Sequence, residues 1–86
     1  MAEQLIGTVT HYFGKAQVAG IKITDGELKV GDTIHIVGHT SDFTQRVESM
    51  QINRVPVEAA GVGDEVGIKV SEHARQNDKV YRVVPD

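Results

Sequence analysis

The residues with chemical potential in this chain are four histidines, His11, His35, His39 and His73, three serines and a scatter of carboxylates. His35 and His39 straddle the end of a strand, with Asp42 close by, a set of borderline metal ligands. Zinc sites use tighter spacings, such as histidines at i and i+4 on one helix face or a CxxC knuckle. A strand followed by a glycine turn fixes no such geometry, so these read as surface or half-buried strand histidines and no metal is expected. Ser41 lies two residues after His39 and directly before Asp42, but adjacency in sequence is not a triad. No GxSxG elbow surrounds Ser41, Ser49 or Ser71. Asp64 and Glu65 are neighbours on opposite strand faces and cannot flank one bond together. No catalytic residues and no enzymatic activity are expected.

One stretch suggests binding instead. His11-Tyr12-Phe13-Gly14-Lys15 places aromatic rings beside a lysine at a hairpin, an arrangement that stacks on a base or docks a partner. Arg46 and Arg54 add positive charge to it where their strand lies nearby. The candidate surface is therefore His11, Tyr12, Phe13, Lys15, Arg46 and Arg54. In the competing reading Tyr12 or Phe13 fills the mouth of the fold as a core residue. The binding reading expects replacement of Tyr12 and Lys15 by alanine to weaken binding while leaving thermal unfolding nearly unchanged.

The elements that position these residues are organised around Gly26 to Gly38, GELKVGDTIHIVG. Gly31 supplies positive φ for a tight turn, and Asp32 hydrogen-bonds backbone N–H groups just ahead of it. Val62-Gly63-Asp64-Glu65-Val66 repeats this signal, and Asn77-Asp78-Lys79-Val80 is a third version, with Asn in the glycine's place. Strands are expected over Leu5–Phe13, Ala16–Thr24, Thr33–Gly38, Phe43–Arg54, Glu65–Val70 and Lys79–Val84. Phase changes in the apolar pattern predict bulges near Ala19-Gly20 and near Ser49. Single helical turns are expected at Val57 to Ala60 and within Ser71 to Gln76. Six strands with short connections describe an all-β, Greek-key-like antiparallel barrel, residues 1–86 forming one domain.

Composition bounds the function. The chain has 86 residues, 40% hydrophobic, with no cysteine, so disulfides, thiolate metal sites and cysteine nucleophiles are excluded. MAEQLIG has neither a basic nor an apolar leader segment, and no apolar run approaches a membrane span. A cytoplasmic location without membrane contact is expected. The formal net charge of −3 counts against strong nonspecific binding to nucleic acid.

The run Gly26–Gly38, then Val47-Glu48-Ser49-Met50-Gln51-Ile52, Val57-Glu58-Ala59-Ala60 and Gly63-Asp64-Glu65-Val66-Gly67-Ile68, resembles the second domain of translational GTPases such as elongation factor Tu and the bacterial initiation factor. The opening Ile6–Phe13 and the ending Arg75–Tyr81 are similar to a subset of these. That subset comprises short free-standing translation-factor-like proteins and the barrel appended to collagenase-like peptidase-family proteins. The resemblance implies a translation-factor domain 2 barrel acting as a binding or adaptor module. It implies a protein partner, with a peptidase-family subunit as one form, or alternatively an RNA of the translation apparatus. No GxxxxGK[ST] loop is present, so GTP is not an expected ligand, and no cofactor is expected.

Overall fold

The computed structural model describes residues 2–84. Alternating apolar residues and short turns give ten strands: β1 (Ala2–Phe13), β2 (Val18–Ile23), β3 (Glu27–Lys29), β4 (Thr33–Val37), β5 (Asp42–Arg46), β6 (Met50–Ile52), β7 (Val55–Val57), β8 (Ala59–Gly61), β9 (Glu65–Lys69) and β10 (Lys79–Val84). Eight form one antiparallel sheet in the order β5-β4-β10-β1-β2-β9-β6-β7, and β3 pairs with β8 separately. Inward residues of both sheets meet in one core that includes Ile6, Val9, Ile21, Leu28, Ile36 and Ile68, all essentially buried. Among the described residues there is no helix, and none long and apolar enough to cross a membrane.

Five of the six expected strands are present with ends shifted by a few residues, the remaining one is divided, and β3, β7 and β8 are additional. Phe43–Arg54 is not one strand: Val47, Glu48 and Ser49 lie between β5 and β6. Val47 points into the core, as does Met50, so an interruption rather than a bulge makes the phase change. Val57 to Ala60 holds parts of β7 and β8 instead of a helical turn, and Ser71 to Gln76 is irregular, with a bend at Ser71-Glu72 and a turn beginning at Gln76. The bulge expected in the second strand lies in its partner. Val9 faces Ile21 and His11 faces Gly20, which leaves Thr10 as the extra residue in β1. A second register shift, between Leu5 and Gly7, makes Ile6 the extra residue against β10. In β2, Ala19, Ile21 and Ile23 alternate inward without interruption.

The three turn signals share one hydrogen-bonding scheme. The amides of Asp32, Asp64 and Asp78 donate to the carbonyls of Lys29, Gly61 and Arg75, at 3.0, 3.0 and 3.1 Å. Each carboxylate in turn accepts the N–H of the same partner residue, at 2.9 Å in all three. The residue before each aspartate has positive φ, +102° at Gly31, +94° at Gly63 and +76° at Asn77, as a type II turn demands at its third position.

Within the eight-stranded sheet the backbone ladder leaves β5 and β7 as edges, and side chains treat each. The Gln45 amide donates to Lys69 O at 2.9 Å and accepts from Ser71 N at 2.7 Å. It copies a ladder pair and seals the gap between β5 and the end of β9. On β7, Pro56 lies opposite Gln51 and offers no N–H to a pairing strand, the usual defence of an exposed edge.

Candidate functional site

The Thr10 bulge decides where the aromatic stretch points. Without an extra residue, a strand with Val9 inward would also send His11 and Phe13 inward. With it, Tyr12 packs against the core, and His11 and Phe13 face outward. Their rings meet edge to face with centroids 4.4 Å apart, and Phe13 stays 52% exposed. Tyr12 therefore takes the competing, packed role, and its ring lies 4.2 Å from that of His73.

His11 and Phe13 form one wall of an open groove of about 490 Å³ on the outer face of β1, β2, β9 and β6. Val18 and Ala16 add apolar surface, while Gln51, Asn53 and Arg54 line the groove from β6 and the turn beyond it. Its floor is low because Gly20 and Gly67 lie opposite each other, with Gln51 opposite Gly67 on the far side. Gly67 is half-buried, while Gly20 is buried beneath Thr10, whose hydroxyl oxygen lies 3.2 Å from Gly20 O. Glu65 also lines the groove, where it accepts a hydrogen bond from the Thr10 hydroxyl.

Arg54 reaches this groove through a turn rather than a strand. Ile52 pairs with Val55, so Asn53-Arg54 is a two-residue hairpin loop. Their φ values of +51° and +66° fit a type I′ turn, whose second position strongly favours glycine. The asparagine carries a readable signal for this turn; arginine in the second position conceals it.

Two candidate residues lie elsewhere. Arg46 lines a separate groove of about 370 Å³ with Gln17, Gln45, Glu48, Ser49 and Lys69. Lys15 is exposed in the Gly14–Gln17 turn and does not line the aromatic groove. The structure thus brings together His11, Phe13 and Arg54, and separates Tyr12, Lys15 and Arg46 from them. Gln51, Val18 and the glycine pair were not singled out in the sequence; the signal for them is strand register, which emerges only once β2, β9 and β6 are paired.

His35 lies outside this groove, on β4, which β10 separates from β1. Its Nε2 is 2.6 Å from Asp42 Oδ1 and its Nδ1 is 2.9 Å from Glu3 Oε1. The hydrogen bond to Asp42, then that to Glu3, raises the imidazole pKa above its ordinary 6.5. His39 takes no part, and no group of three or more His, Cys, Asp or Glu among the described residues is placed to hold a metal ion. Ser41 is buried, with its hydroxyl donating to the His73 carbonyl at 3.4 Å.

A helix-free antiparallel sheet, curled on one core and sealed along its seam by a side-chain amide, defines a barrel-type β domain. Residues 16–81 match elongation factor Tu domain 2, and the chain belongs to that family. It is 43% identical over 77 residues to an uncharacterised protease of Methanocaldococcus jannaschii, and 38% identical over 78 residues to a collagenase of Porphyromonas gingivalis. These alignments take in 88% and 90% of this chain but 19% and 22% of those proteins, so the chain spans about a fifth of the curated relatives it matches. Its fold is that of the C-terminal domain of a Geobacillus thermoleovorans protein assigned to the U32 peptidases. The TM-score is 0.86 at 19% identity, over 94% of this chain and 93% of that one.

Proposed function

We propose that this chain is a non-catalytic docking module and that its outer groove seats a peptidase-family protein in the cytoplasm. The observation that carries this reading is the 43% and 38% identity to about a fifth of a protease and of a collagenase. The small share of each relative that is matched fits an appended module, with the chemistry residing elsewhere in the larger proteins. The groove supplies the mechanism: exposed aromatic and apolar walls, a rigid floor of paired strands and one cation at the rim. Such a surface binds by complementarity, with most of the affinity at an aromatic or arginine anchor.

The test is calorimetric titration of this chain with a U32-family protein of the same cell from which any equivalent module has been removed. A one-to-one complex is expected, weakened about tenfold or more by Phe13→Ala. Absence of a complex, or turnover of a peptide by the isolated chain, overturns the reading. Salt-sensitive binding of tRNA in place of the protein would transfer the module to the RNA-binding class.

A further inference from the structure

We infer that the groove is shaped for an aromatic side chain of the partner, laid over Gly67, with an acidic group close behind it that pairs with Arg54. This assignment rests on the docking reading above and names the chemistry of its ligand. Central strands ordinarily cover their outer face with cross-strand side-chain pairs. Here the row Gly20, Gly67, Gln51 crosses three strands with two side chains missing. A Cβ on Gly67 would lie 3.2 Å from Val18 Cγ1, and one on Gly20 would lie 3.2 Å from Thr10 Oγ1. Thr10 therefore covers Gly20, Val18 crowds one edge of Gly67, and the backbone left part-exposed in the row is that of Gly67. A flat ring is the group that covers glycine backbone in a sheet, as cross-strand aromatics do when they rescue glycines. Phe13, braced by the edge-to-face contact with His11, provides the neighbouring ring at the wall. The volume of about 490 Å³ lies in the range of small-ligand sites, ~300–1,000 Å³.

The charge at the rim completes the selection. Among the described residues Arg54 enters no ion pair, whereas Glu65 is engaged by Thr10 and lies opposite Lys22. Arg54 also occupies a left-handed backbone position, φ +66°, where glycine is the easier residue. Its guanidinium can cover a ring face and pair with a carboxylate at once, two roles that a neutral turn residue cannot fill.

The assignment is tested by nuclear magnetic resonance titration of the ¹⁵N-labelled chain with N-acetyl-tryptophanamide, N-acetyl-leucinamide and the acetylated, amidated peptide Trp-Gly-Asp. The tryptophan probes should shift the amides of Phe13, Val18, Gly20 and Gly67 most, and the leucine probe should bind far more weakly. The acidic peptide should bind about fivefold more tightly than tryptophanamide, an advantage that Arg54→Gln removes. Gly67→Ala should abolish the local shifts; Gly20→Ala serves as the second floor variant, each checked for native thermal unfolding. Equal binding of leucine and tryptophan probes, shifts mapping to another face, or intact binding in both folded floor variants overturns the assignment. If the probes fail while the peptidase complex still forms and still depends on Phe13, the aromatic assignment falls and the docking reading stands.

Discussion

His35 is held with both ring nitrogens against carboxylates, Asp42 on one side and Glu3 on the other. A neutral imidazole can donate from only one nitrogen, so this arrangement favours the charged ring. With a folded pKa above the unfolded value, the stabilisation is fully present below about pH 6.5 and is lost as pH rises through the raised folded value. The urea midpoint of the native chain minus that of His35→Gln should be largest near pH 5 to 6 and should shrink as pH rises above the ordinary histidine value. A difference independent of pH would contradict the clamp. Arg54 offers a second test at this scale. Left-handed backbone costs a side-chain-bearing residue about 1–2 kcal/mol, and glycine gives back part of that in chain entropy. Arg54→Gly should therefore stabilise the fold by up to about 1 kcal/mol in denaturant unfolding while weakening the groove's ligand. Loss of stability would show that Arg54 is held by contacts rather than strained.

Among the elements, the three aspartate turns and the side-chain seam make the clearest claims. Asp78 is only 4% exposed, so Asp78→Ala leaves the Arg75 amide unsatisfied in a drier setting than Asp32→Ala or Asp64→Ala does at their turns. Loss of about 2 kcal/mol is expected for Asp78→Ala and about 1 kcal/mol for each of the others, by thermal or urea unfolding. Gln45→Ala should open the seam without melting the core, seen as faster hydrogen exchange at the Ser71 amide with β1 and β2 still protected. The turns were readable because glycine or asparagine before aspartate states its own backbone geometry. The strands were readable from alternation, as at Ile34 and Ile36 or Val66 and Ile68. The Thr10 bulge was not, because Ala16 and Val18 face outward in the structure but read in the sequence as an inward pair of opposite phase to Ile21 and Ile23, which put the irregularity in β2 instead of β1. At Val47–Ser49 the phase change was visible, but a bulge and an interruption leave the same mark in the apolar pattern. Three-residue strands such as Glu27–Lys29 are too short to show a period at all.

At the scale of the whole molecule, the two faces of the curled sheet do different work. The inner face carries a continuous aliphatic core that was legible from composition and alternation. The outer face carries the groove, of which the sequence showed His11 and Phe13 but not Gly20, Gly67 or the turn that delivers Arg54. Those residues come from β2, β9 and the β6–β7 hairpin, far apart along the chain, and only register places them together. Docking through this face makes a spatial claim that a footprint reads directly. The decisive measurement is hydrogen exchange of the chain alone and in complex with its peptidase-family partner. Protection confined to Phe13, Val18, Gly67 and the Asn53-Arg54 turn is the expected result. Protection centred instead on Leu5, Tyr81 and His35, which lie opposite one another across β1, β10 and β4, with the groove exchanging as freely as before, would contradict it.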